Sequence, residues 1–161
     1  MELKEKLVSS FLAFENQVEV DIDSNVHDIR SKAFNSFEKN GFPTKKDEEW
    51  KYTSLNSILK EDYNVFPKGK ESLEYKDVKK YFINETDCYN LIYIDGKFSS
   101  FLSETTHDGL DICVMSSALT KPKYKMVIDS YFNKLAGDNN SLSDLNTAFS
   151  KEGAFINIPK N

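Results

Sequence analysis

Residues 89–102 read Tyr-Asn-Leu-Ile-Tyr-Ile-Asp-Gly-Lys-Phe-Ser-Ser-Phe-Leu, and this stretch decides the fold class. Asp95-Gly96 tolerates positive φ at both central positions of a type I′ turn, the two-residue loop whose twist matches that of paired strands. A loop of that length sets Ile94 opposite Lys97 and Tyr93 opposite Phe98, the second a cross-strand aromatic pair. Gly109 to Met115 then alternates and reads as a third strand. The periodic segments upstream of this hairpin carry helical spacing instead. A chain that segregates helices and antiparallel strands in this way is α+β.

Moving toward the N-terminus, Leu3, Leu7, Phe11, Phe14 and Val18 form one apolar stripe over residues 2–18. The acidic segment Glu19 to Asp23 breaks it. Ser24 or Asn25 caps a second helix whose apolar face is Val26, Ile29, Ala33 and Phe37, and Asn40-Gly41 ends it before Pro43. The spacing predicts an antiparallel helical hairpin over 1–40. Residues 41–53 form a charged connector carrying Trp50 and Tyr52. Thr53 or Ser54 caps a short helix with Leu55, Ile58 and Leu59, residues 62–71 are loop, and Leu73 to Phe82 hold a further short helix with Val78, Tyr81 and Phe82 inward. Toward the C-terminus, Tyr124, Val127, Ile128, Tyr131, Phe132 and Leu135 are helically spaced, and Gly137 stops that helix. Ser141 caps a last helix with Leu142, Leu145 and Phe149 inward, ending at Gly153, and Ala154 to Ile158 is a fresh strand. A strand at that position has no obvious local partner, so its edge is expected to be unpaired.

Composition narrows the function. The 161 residues include 12 Phe, 8 Tyr and 1 Trp, rings large enough to build a core despite 29% charged residues. No apolar run approaches the roughly 20 residues of a membrane span, and the opening Met-Glu-Leu-Lys-Glu-Lys lacks the apolar stretch of a secretory signal. The net charge is −5, and Arg30 is the only arginine among 21 basic residues. A net-negative chain gains nothing from a phosphate backbone, and bidentate phosphate or guanine recognition favours Arg. Nucleic acid is therefore not an expected partner.

Each candidate for chemistry has a plainer reading. Asp47, Glu48 and Glu49 are the densest carboxylates, and paired carboxylates suit acid–base work or a divalent cation. The lysines around them offset the charge, which favours a solvated loop or helix start. His27 and His107 have no ligand partner at three or four residues. Cys88 and Cys113 lack metal-binding spacing and read as reduced thiols; a Cys–His nucleophile would need His107 brought beside one of them. Pro67 to Ser72 lacks the spacing of a phosphate loop. Lys121, Lys123 and Lys125 form a basic cluster that reads as a solvated helix start. No catalytic, cofactor-binding or metal-ligating residue is assigned, and no enzyme is expected. The alternatives are a small divalent-cation-dependent enzyme using Asp47, Glu48 and Glu49, or a peptide-binding module using the Ala154–Ile158 edge.

Three blocks together resemble a known family. They are Gly41-Phe42-Pro43 with Glu48-Glu49-Trp50-Lys51-Tyr52-Thr53; Ile94-Asp95-Gly96-Lys97-Phe98; and Leu145-Asn146-Thr147-Ala148-Phe149 with Gly153-Ala154-Phe155-Ile156-Asn157-Ile158-Pro159-Lys160-Asn161. In this order they are similar to the amino-terminal region of SufD, in the SufB/SufD family of iron–sulfur cluster assembly subunits. The Glu-Trp-Lys-Tyr-Thr block is the most specific. The likeness runs from about residue 41 to the end, whereas 1–40 match only as generic helices.

The resemblance implies an N-terminal helical or α+β region leading into a right-handed parallel β-helix. It implies a scaffold working with SufB-like and SufC-like subunits in a cytoplasmic Suf complex. The residues that handle iron or clusters, and the SufC-binding segment, would lie outside this chain, so no cofactor is expected here. The expected organisation is a helical hairpin over 1–40, a small α+β domain over 41–153 packed with it as one domain, and residues 154–161 opening the β-helical core. Trp50 is expected to be buried, anchoring the connector to the helices.

Overall fold

The computed structural model describes residues 2–18, 25–66, 73–83, 86–107, 109–135, 140–151 and 153–160. In chain order the elements are α1 (Leu3–Val18), α2 (Val26–Asn40), α3 (Asn56–Leu59), α4 (Tyr75–Val78), β1 (Tyr93–Ile94), β2 (Lys97–Phe98), β3 (Thr106–His107), β4 (Leu110–Val114), α5 (Met115–Leu119), α6 (Pro122–Tyr131), α7 (Ser141–Ala148) and β5 (Ala154–Asn157). Short 3-10 turns occupy Glu48–Trp50 and Lys79–Tyr81. This is an α+β chain with small antiparallel sheets, as the period change at residue 89 implies.

The chain divides into two compact units, one made of 1–66 and 122–150, the other of 67–121 and 151–161. The units are discontinuous in sequence because α7 packs along α2, and β5 pairs with β4.

In the first unit, α1 turns its expected stripe inward. Phe11, Phe14, Ala33 and Ala148 make a buried cluster, with Val18, Phe34 and Phe149 packed on it. Phe11 and Phe34 stack at 3.8 Å between centroids, and Phe149 meets Phe11 edge-on at 5.6 Å. Such contacts add about 0.5–1.5 kcal/mol each beyond the area they bury. Phe37 is 0% exposed. Burying such a side chain fully contributes about 1.5–3 kcal/mol. The small side chains of Ala33 and Ala148 let α2 and α7 approach closely, and α2 packs more fully on α7 than on α1. Ser36 Oγ donates to Asp144 Oδ2 at 2.6 Å across that contact.

Helix ends differ from the sequence reading in instructive ways. Gly41, at φ 70°, closes α2 with its N–H on Phe37 O at 2.7 Å. Asn25 precedes α2 but does not cap it through its side chain; its Nδ2 donates to Asp129 O at 3.0 Å instead. Helix α7 is capped by Asn140, whose side chain accepts from Ser143 N–H at 3.1 Å, and not by Ser141. Helix α6 stops at Tyr131, earlier than expected. Asn133 adopts φ 57° there, a left-handed conformation that Asn tolerates better than most residues. Only Tyr124 and Ile128 of its apolar spacing are buried, while Tyr131 and Leu135 are exposed. The expected stop at Gly137, the alternative cap Ser24, the acidic break at 19–23 and the turn at 67–72 lie outside the described residues.

In the second unit the hairpin has the register read from sequence, Tyr93 opposite Phe98 and Ile94 opposite Lys97. Asp95 and Gly96 sit at φ 50° and 79°, as the type I′ turn requires, and the Tyr93 and Phe98 rings meet edge-on at 5.3 Å. The ladder is shorter than expected because side chains take over the next amides. Ser103 Oγ accepts from Ile92 N–H at 2.8 Å, and Glu104 Oε2 accepts from Asn90 N–H at 3.0 Å. Val78 of α4 is buried as expected, but Tyr81, in the 3-10 turn that follows, is exposed. Met115, placed in a strand by its alternation, begins helix α5 instead.

The three-stranded sheet runs β3-β4-β5, all antiparallel. The expectation that residues 154–158 stay unpaired is overturned: Asp111, Ile112, Cys113 and Val114 face Asn157, Ile156, Phe155 and Ala154. Strand β4 has a second edge free for it, and Met115 N–H donates to Gly153 O at 2.8 Å where the pairing begins. Phe155 turns inward, while Ile156 is 53% exposed. Asn157 Nδ2 reaches Asp111 Oδ2 at 3.0 Å across the strands.

Candidate functional site

The connector that carries the Glu-Glu-Trp-Lys-Tyr-Thr block is a tightly bonded loop of the first unit. Asp47 Oδ2 accepts from Thr44 N–H at 2.7 Å and from Thr44 Oγ at 3.1 Å. These bonds, the backbone one first, hold the Asp47 carboxyl below its ordinary 3.8. Trp50 N–H then donates to Asp47 O at 2.9 Å and Thr53 N–H to Trp50 O at 2.9 Å. The acid thus shapes the turn, and Glu48 and Glu49 point into solvent beside it. The three carboxylates are neighbours in sequence, but Asp47 is already engaged.

Trp50 is half-buried, not buried. Tyr52 is 90% exposed, with Lys51 Nζ at 5.6 Å from its ring centre. The loop therefore displays its aromatic residues more than it anchors with them.

The other candidates are scattered. Lys125 pairs with Asp129 at 3.4 Å, one turn along α6, and Lys123 lies 5.4 Å from the centre of the Tyr124 ring. These two lysines turn to different partners. Cys88 is exposed and Cys113 half-buried in β4, both as free thiols. His107 belongs to β3, opposite Leu110. Among the described residues, no group of three His, Cys, Asp or Glu side chains is placed to hold a metal, and no helix is long and apolar enough to cross a membrane.

One polar constellation was not singled out from sequence. Glu15 of α1 is buried, with Oε1 3.3 Å from Arg30 Nε and Oε2 2.5 Å from His27 Nδ1, both on α2. The Glu15–Arg30 contact is an ion pair, and neither contact has the angles of a hydrogen bond. Arg30 Nη1 also donates to Ser150 O at 3.2 Å, just beyond α7. The signal was present: Glu15 lies four residues after Phe11 on the inward stripe, and the sole arginine lies four after Val26. Charged residues on an apolar face are either errors of reading or buried pairs. This group joins α1, α2 and the residues just beyond α7.

A curated relative, an iron–sulfur cluster assembly SufBD family protein of Synechocystis sp., is 29% identical over 119 residues, covering 74% of this chain. The matched region is 26% of that protein, so the chain spans about a quarter of the relative's length. No solved structure matches. The family model for the SufBD protein N-terminal region matches residues 1–161, and the chain belongs to that family.

Proposed function

We propose that this chain is the N-terminal part of a SufD-type scaffold subunit in iron–sulfur cluster assembly, without a catalytic group of its own. The observation that carries this reading is the family match across residues 1–161. The named role of the Synechocystis relative supports it. On this reading the full-length protein works in the cytoplasm with SufB-like and SufC-like subunits, and residues 1–161 contribute packing and partner contact. The chemistry agrees. Iron–sulfur clusters are held by about four thiolates, with His as an occasional substitute. This chain has two cysteines, Cys88 and Cys113, so any cluster in the assembly takes most of its ligands elsewhere.

The test is co-expression of the full open reading frame with the SufB-like and SufC-like subunits of the same genome, purifying on a tag carried by this protein. Fixed-stoichiometry co-purification through size exclusion is the expected result. A protein that elutes alone at every salt concentration would overturn the reading.

A further inference from the structure

Residues 60–66, Lys-Glu-Asp-Tyr-Asn-Val-Phe, follow α3 and run beside α1. They are fastened to it at two points. At one end Lys6 of α1 pairs with Asp62 and reaches Tyr63 O at 3.4 Å. At the other, the Phe66 ring stacks on Phe14 at 5.4 Å and lies 5.5 Å from Phe149. Lys6 and Phe14 are eight residues apart, about 12 Å along a helix. Asp62 and Phe66 are four residues apart, at most about 13 Å of extended chain. The segment spans the two fastenings as irregular chain and bends at Val65 and Phe66. Among the described residues, no amide of 62–66 donates to a backbone carbonyl.

Each fastening has a weakness. The Asp62 side chain is almost fully exposed, and an exposed ion pair is weak and screened by salt. Phe66 sits at φ 65°, where a bulky residue is a genuine outlier and its backbone opposes the seated state. Its ring is still 49% exposed, so only part of the possible stacking area offsets that strain. Segments held by few buried contacts open at free energies far below global unfolding.

We propose that residues 60–66 are a detachable strap, which leaves and rejoins α1 as a unit while α1, α2 and α7 stay folded. Its departure bares the Phe14 and Phe149 rings of the first unit, whose centroids lie 5.1 Å apart at an interplanar angle of 58°. The Lys6–Asp62 pair sets the ionic-strength dependence of opening, and the Phe66 ring sets its depth.

Hydroxyl-radical footprinting of the full chain, read residue by residue by mass spectrometry, tests this. Phe37, fully enclosed, is the internal reference. Phe66→Gly accepts the positive φ without strain and removes the ring, so it defines the signal of bared Phe14 and Phe149. In Asp62→Asn, oxidation of Phe14 and Phe149 is expected to rise roughly two- to fivefold, the range an exposed ion pair supports. Phe37 stays unchanged, and raised salt does the same to the unaltered chain. If Phe37 rises in step, opening is global and the strap does not exist as a unit. If Phe14 and Phe149 do not rise in Asp62→Asn, the pair fastens nothing. Either result overturns the proposal.

Discussion

Glu15 on α1 and Arg30 on α2 form an ion pair inside the first unit, with Oε1 3.3 Å from Nε and both side chains almost fully enclosed. Removing two charges from water is costly, so the intact pair adds little net stability. Losing Arg30 is a different matter, because Glu15 is left enclosed with His27 as its remaining neighbour. Arg30→Met is expected to destabilise the first unit by about 3–5 kcal/mol in urea unfolding. The double variant Glu15→Met/Arg30→Met is expected to recover most of that loss. A single variant within about 1 kcal/mol of the unaltered chain, below that range, would mean that the pair is not sealed from solvent.

Asp47 gives a pH signature. Its carboxylate accepts from Thr44, which lowers its folded pKa below 3.8. A depressed folded pKa adds stability above the unfolded value, and the contribution is lost as pH falls through the folded one. The loop at 44–53 is therefore expected to hold at pH 5 and to loosen only below about pH 4. The Thr44 amide resonance followed by NMR reads this directly. A midpoint at or above 3.8 would show that the Thr44 bonds do not hold in solution.

The turn of the hairpin is the most sequence-determined feature. Gly96 has φ 79° and open space where a Cβ would lie, so the cost of Gly96→Ala is conformational and not steric. The expected destabilisation is about 1–2 kcal/mol. It is read at the Ser99 amide, which donates to Ile92 O at 2.9 Å next to the ladder. Its hydrogen exchange should accelerate correspondingly, and an unchanged rate would show that the hairpin does not depend on the I′ turn.

How far the sequence carried depends on whether the deciding contact is local. Asp95-Gly96 specifies both the turn and the register, because two residues and a period of two leave one solution. The α1 stripe is legible for the same reason. Val127, Tyr131 and Leu135 fit a helical period equally well, yet they are exposed, because periodicity cannot say which of two apolar faces finds a neighbour. The pairing of Ala154–Asn157 with β4 spans forty residues or more, so no local pattern announces it. The same holds for Glu15 and Arg30, which look like misplaced charges until α1 and α2 are brought together. The Trp-containing block named the family without revealing its own geometry, since a 3-10 turn shows little periodicity.

Trp50 is the only tryptophan, and fluorescence reports it cleanly. Half-burial in the connector leads to an intermediate emission maximum and partial quenching by iodide. Trp50→Ala is expected to cost clearly less than the roughly 3–5 kcal/mol of emptying a core aromatic site. A blue-shifted, unquenched emission would place the ring in the core after all.

The scaffold reading holds that residues 1–161 contain no cluster-bearing site, and anaerobic reconstitution of the chain with iron and sulfide measures this most directly. The expected result is no stoichiometric visible chromophore after desalting, with Cys88 and Cys113 still titrating as free thiols. A stable chromophore at fixed iron stoichiometry, abolished by the double variant Cys88→Ser/Cys113→Ser, would contradict it.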